Sequence, residues 1–222
     1  MEGRSLYMAV GGYEPSGREG CADIRSLHIA LEEGLRAAAG RAGVESSRVY
    51  LALSGPAYYI VWTVSWRPEA LARLRVELAS LRCFAETVWW PSVYWASPYA
   101  KGLKPEEVLE LAKGKPMKYF IAYPMKKSPE WYLLPFDERR RIMGEHIGVA
   151  RKASEELGLE VRSYTTYAFG IADYEFLVIY EAEDLALWAR VVERLREAKA
   201  RKWVVREEPV LTGVRTDLIE AG

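Results

Sequence analysis

Histidine and cysteine are scarce in this chain, with two of each in 222 residues. Cys21 and Cys83 make neither a disulfide framework nor a CxxC pair, and no histidine cluster accompanies them, which excludes a zinc site. They are expected to be buried, reduced thiols. Net charge is lacking too: 31 basic residues balance 31 acidic ones, so no overall field draws the chain to nucleic acid or an anionic membrane surface. No apolar run approaches the roughly 20 residues of a membrane span. The opening MEGRSLYMAVGG lacks the apolar core and cleavage pattern of a signal peptide. The expectation is a cytoplasmic protein with neither a nucleic-acid nor a membrane partner.

Hydrophobic residues make up 50% of the chain, enough for a packed core. SLYMAVGGY reads as a strand, and ADIRSLHIALEEGLRAAAGRAG as a helix. RVYLALSG and YYIVWTVSW follow as two strands joined at Gly55-Pro56. RPEALARLRVELASL, with Pro68 in its first turn and leucines at helical spacing, is a second helix, and CFAETVWWPSVYWAS a closing strand. After a Gly/Pro/Lys-bounded connector the order recurs. KYFIAYPM is a strand, Glu138 to Leu157 a helix, LEVRSYTTYAFG and YEFLVIYEA strands, DLALWARVVERLREAKA a helix and KWVVREEPVLTG a single strand. The fold class is therefore α+β. Two ferredoxin-like β-α-β-β-α-β halves, residues 1–99 and 118–222 joined by the connector 100–117, form an α+β barrel. YEFLVIY is apolar on both faces and is expected to be covered on both.

GGYEPSGREG lacks both the GxxxxGK[ST] lysine and the GxGxxG spacing, so it reads as an ordinary loop between strand and helix. Arg139-Arg140-Arg141 reads as a solvated helix face. His28 reads as structural. On the long helix of the second half, Ile142, His146, Val149, Ala153 and Leu157 form one stripe, which turns His146 inward. Periodicity alone favours a hydrogen-bonded core histidine. One imidazole is too few for zinc but enough for a haem iron, whose other ligands come from the porphyrin.

YPMKKSPEWYLLPFDERRRIMGEH, TTYAFGIADYEFLVIYEAEDL and LREAKARKWVVREEPVLTG resemble the second half of the chlorite dismutase family, which includes the coprohaem decarboxylases of haem synthesis. The resemblance implies haem b or coprohaem as cofactor, His146 as the iron ligand and a pentameric homo-oligomer. Tyr123 matches the tyrosine that becomes the oxidising radical in the decarboxylases, and Lys127 a lysine near a porphyrin propionate. Trp131 and Tyr99 match aromatic residues at the haem edge and at a propionate; Pro98 replaces the asparagine usual beside the latter. Met125 and Ser163 are implied to contact the porphyrin.

Two departures are informative. Ser163 stands where chlorite dismutases carry an arginine above the iron, and strand alternation turns the adjacent Arg162 away. Ala200 stands where they carry a glutamate bonded to the iron-ligating histidine, with Glu197 one turn earlier as a candidate substitute. Both favour the decarboxylase branch: peroxide-dependent conversion of coprohaem to haem b, with Tyr123 and Lys127 catalytic and chlorite splitting not expected. The alternatives are a haem b protein with weak peroxidase or transfer activity, and a haem-free oligomeric binding or scaffold protein.

Overall fold

The apolar alternation of the first strand becomes β1 (Leu6–Pro15), which pairs antiparallel with β3 (Tyr59–Ser65) on one side and β4 (Phe84–Tyr94) on the other. With α1 (Ile24–Ala42), β2 (Ser46–Ser54) and α2 (Pro68–Ala79) these complete the first half. Helix α3 (Pro105–Lys113) lies in the connector. The second half runs β5 (Tyr119–Lys127), α4 (Pro129–Leu133), α5 (Phe136–Leu157), β6 (Val161–Tyr167), β7 (Phe176–Ala182), α6 (Leu185–Leu195), a 3-10 turn (Lys199–Trp203), β8 (Val204–Arg206) and β9 (Leu211–Arg215). These elements come from a computed structural model that describes residues 4–19, 21, 24–99 and 102–220.

Each half has its sheet in ferredoxin-like order, β4-β1-β3-β2 and β6-β7-β5-β9, and the two join edge to edge. Joints between β4 and β6 and between β2 and β9 close eight of the nine strands into a barrel, with β8 appended to the end of β5. At the second joint a side chain on Gly213 would come within 2.7 Å of the Tyr50 Cβ. Only glycine permits that approach.

Leu6, Met8, Val10, Ile60 and Trp62 of the first half and Phe120, Ala122, Tyr164, Leu177 and Ile179 of the second fill the barrel. Full burial stabilises by roughly 1.5–3 kcal/mol for each large apolar side chain. Helices α1 and α2 cover the outside of the first half, and α5 and α6 part of the second. β7 is covered on both faces, as its sequence requires, by α5 and α6 at its Ala182 end and by Val93 and Tyr167 at its Phe176 end. His28 is half-buried on α1, in the first half. Among the described residues no helix is long and apolar enough to cross a membrane.

Two expectations are corrected. Cys21 and Cys83 are not reduced thiols but a disulfide, with Cα atoms 5.5 Å apart. The cause is strand pairing: Pro15 is registered with Phe84, and the Ser16 amide donates to the Cys83 carbonyl at 2.9 Å, so the loop after β1 stays beside Cys83. The segment KWVVREEPVLTG is not one strand. It divides into the end of the 3-10 turn, β8 and β9, and the break lies opposite Tyr123, Pro124 and Met125 of β5, between the pairs Ala122↔Leu211 and Lys126↔Arg206. Pro124 and Pro209 both lack the N–H that a continuous ladder would use.

Candidate functional site

The strands of the second half present one face to the barrel core and the other outward. Registers Tyr123↔Val178, Met125↔Phe176, Ser163↔Tyr180 and Thr165↔Val178 put Tyr123, Met125 and Ser163 on the outer face with Tyr180, Val178 and Phe176. Helices α5 and α6 cover one end of this face through Val149, Ala153 and Val191. The other end, around Phe176, Val178 and Met125, packs with Val93, Tyr167 and Tyr7 rather than with a helix.

Helix α5 bridges this sheet to a second cluster. One turn before His146, Ile142 packs with Trp131, Ala200, Tyr99 and Trp203. About one turn after it, Val149 packs on the sheet side. His146 thus lies between the two clusters, half-buried, with Nδ1 buried and unbonded. Burial first, then the charges of Lys127 and Arg201, lower its pKa below the ordinary value against an opposing pull from Glu207. At neutral pH the imidazole is therefore uncharged, with a lone pair to offer.

Lys127, at the end of β5, is 5% exposed and holds Nζ 3.4 Å from the Trp131 ring centroid and 3.8 Å from the Met143 sulfur. Desolvation pushes its pKa down to about 8, opposed by Glu175. The Glu175 carboxylate accepts from the Lys127 amide at 2.8 Å and from the Tyr132 hydroxyl at 2.6 Å, which fastens α4 to the strand. Trp131 is also in ring contact with Tyr99 and Trp203. Lys127, Trp131 and Tyr99 therefore form one group, linked to α5 through Ile142, while Tyr123, Met125 and Ser163 share the outer face of the sheet.

Arg162 points to the opposite face from Ser163, with Nη1 3.4 Å from Glu181 and 3.1 Å from the Lys115 carbonyl. Ala200 is buried and Glu197 exposed. The carboxylate whose field reaches His146 is instead Glu207, which is paired with Arg196 at 2.7 Å and with Arg201. Arg140 and Arg141 are solvated as expected, but Arg139 is half-buried, lies over the Phe136 ring and has a buried Nε without a hydrogen-bond partner.

Sequence reasoning also missed Tyr180, Glu175 and Glu207. Tyr180 could have been found by alternation with Val178, given the strand register. The two glutamates lie in loops and carry no periodic signal.

No group of three or more His, Cys, Asp or Glu side chains able to hold a metal ion occurs among the described residues. A single neutral imidazole with a buried unbonded nitrogen suits an iron whose remaining in-plane ligands come from a porphyrin. The aromatic side chains around it suit the ring, and buried Lys127 suits a carboxylate at its edge. The donor set fits an iron porphyrin.

Known proteins share this arrangement of elements. A crystal structure of a protein provisionally described as a chlorite dismutase is 36% identical and superposes with a TM-score of 0.77, covering 95% of this chain and 94% of the other. A heme-binding protein from Thermus thermophilus shares the fold at 21% identity, with a TM-score of 0.76 over 98% of this chain and 94% of that one. Coproheme decarboxylase of Mycolicibacterium smegmatis is 34% identical over 166 residues, 73% of this chain and 69% of that protein. The family described as chlorite dismutase matches residues 25–216. By that match across nearly the whole barrel, the chain belongs to the chlorite dismutase family.

Proposed function

We propose that this protein binds iron-coproporphyrin between α5 and the outer face of β5, β6 and β7, with His146 as the iron's protein ligand. It decarboxylates propionates of that porphyrin with hydrogen peroxide and so makes haem b. The observation that carries this reading is the uncharged imidazole of His146, with its buried unbonded Nδ1, between the Trp131 cluster and the Tyr123 strand. The identity to a coproheme decarboxylase supports the substrate class.

When bound, the iron porphyrin supplies the redox centre at which peroxide is reduced. Each propionate gives up carbon dioxide, a proton and two electrons to become a vinyl group, and those electrons with two protons turn one peroxide into two waters. Tyr123 relays the electrons. Burial, aided by Tyr180 and Glu207, holds its phenol well above the usual range, so it gives up electron and proton together and never rests as phenolate. Lys127 sets a compact charge against a propionate, and that carboxylate draws its pKa back up. Arg139 offers a second cation beyond Tyr132. Ser163 supplies a hydrogen bond without charge, which does not serve chlorite chemistry. Two successive mass losses of carbon dioxide on peroxide titration of the coprohaem-loaded protein are expected; an unchanged porphyrin mass would overturn the reading.

The reading extends to a homo-oligomeric ring of five in the cytoplasm. Exposed Leu53 and Tyr58 near the turn between β2 and β3, with Val205 and Val210 around the break between β8 and β9, support an apolar contact surface. Sedimentation velocity tests the ring, and a monomer at micromolar concentration counts against it. In a reducing cytoplasm the disulfide must resist the thiol pool. Alkylation of cells under denaturing quench, followed by intact mass, reads that directly.

A further inference from the structure

Tyr123 has one ring neighbour among the described residues, Tyr180, with centroids 6.3 Å apart. Tyr180 in turn has Trp188 of α6 at 4.3 Å. The three rings make an unbranched line from the proposed porphyrin wall to a half-buried indole on the covering helix. Ser163, exposed on β6, is the direct cross-strand partner of Tyr180, and the Tyr123 and Ser163 hydroxyls both lower the Tyr180 pKa against its burial. The Trp131 and Trp203 rings belong to a separate cluster against α5. The Tyr180 line does not serve the decarboxylation, which needs no ring beyond Tyr123.

We propose that Tyr180 and Trp188 form a hole-transfer line that drains oxidising equivalents from Tyr123 to the surface of α6 when no propionate is left to oxidise. The proposal rests on the reading of Tyr123 given above, with peroxide as the oxidant at the bound iron porphyrin. In the first step the oxidised, neutral Tyr123 takes an electron and the hydroxyl proton from Tyr180, which restores the Tyr123 phenol. In the second, Trp188 gives an electron to the Tyr180 radical. The accompanying proton reaches the Tyr180 oxygen through the Ser163 hydroxyl from solvent, and the indole Nε1 proton of oxidised Trp188 passes to water. The net change moves one electron and one proton from Trp188 to Tyr123. Burial raises the pKa of both phenols, so each electron is given up together with its proton, and the neighbours placed to exchange it are Tyr123 and Ser163, beside Tyr180 in the sheet.

The test is the full chain loaded with iron-coproporphyrin, treated with excess hydrogen peroxide in the presence of a nitroso spin trap, and analysed by peptide mapping and by freeze-quench electron paramagnetic resonance. Trap adducts on Tyr180 and Trp188 are expected. In Tyr180→Phe the Trp188 adduct should fall to background while the Tyr123 adduct grows; in Trp188→Phe the adduct should accumulate on Tyr180. Wild-type labelling of Trp188 in Tyr180→Phe overturns the line, as does absence of label from Tyr180 and Trp188, whatever happens at Tyr123. The porphyrin mass is read in the same samples. An unchanged mass with Trp188 labelled removes the decarboxylase reading and overturns the link to propionate exhaustion, while the route from Tyr123 to Trp188 itself stands.

Discussion

The Lys127 ammonium sits 3.4 Å above the Trp131 ring centroid, with the lysine 5% and the tryptophan 1% exposed. A cation in that position is held by the π face and a thioether rather than by water, with the Glu175 charge as its carboxylate influence. In the proposed function, this is the charge that a propionate of the porphyrin meets.

Folding lowers the Lys127 pKa from 10.5 to about 8. The unfolded chain therefore keeps this proton to higher pH than the folded one. The cost of burying the charge is full below about pH 8 and is relieved as pH rises toward 10.5, so this group makes stability increase across that window. The gap is worth about 3 kcal/mol, less about 1–2 kcal/mol returned by the ring. Lys127→Met should stabilise the porphyrin-free protein at pH 7 by about 1–2 kcal/mol, with the gain shrinking near pH 10, and should weaken coprohaem binding. Urea denaturation at both pH values, with coprohaem titration, checks this; equal stability at pH 7 would refute it.

His146→Ala should abolish the five-coordinate high-spin spectrum of hemin-loaded protein. It removes no hydrogen bond at the buried Nδ1, which has no partner, so stability should change by about 1 kcal/mol or less. The folded-state pKa of His146 lies below its ordinary 6.5. Stability present above pH 6.5 is therefore lost as pH falls through that value, and the variant should lose that slope. Absorbance and thermal melts from pH 5 to 7 make the measurement.

Oxygen release from chlorite should be slight in the unmodified haem-loaded protein. Ser163 faces outward without charge, while Arg162 is committed to Glu181 on the other face. Ser163→Arg should gain some release, read with an oxygen electrode. Rapid, sustained release from the unmodified protein would contradict the placement of Ser163.

Arg48 of the first half donates to Glu181 of the second at 2.6 Å, and Glu181 is wholly buried. Arg162 at 3.4 Å and the Tyr164 and Tyr50 hydroxyls at 3.0 and 3.4 Å are its other close partners. Arg48→Met should destabilise by about 3 kcal/mol, because it leaves a buried carboxylate short of its best partner. Arg48→Met with Glu181→Gln should recover part of the loss, since no net charge then remains to be paired at Glu181. Chemical denaturation of both variants decides it.

The sequence by itself determined the local elements and the faces they show. The stripe from Ile142 to Leu157 turned His146 inward, the alternation in β6 set Ser163 and Arg162 on opposite faces, and the recurrent order of elements announced two similar halves. These are periods of 3.6 and 2, properties of a few consecutive residues. Partnership across the chain is of another kind, because it depends on how strands are registered once the barrel closes. Only closure brings Arg48 to Glu181, 133 positions away, and only the β1–β4 register brings Cys21 to Cys83, 62 positions apart. The same holds for Tyr180 between Tyr123 and Ser163, and for Glu207, which the break after β8 sets beside the Tyr123 strand. A pattern of side chains fixes which face a residue shows, and the tertiary structure decides what it meets there.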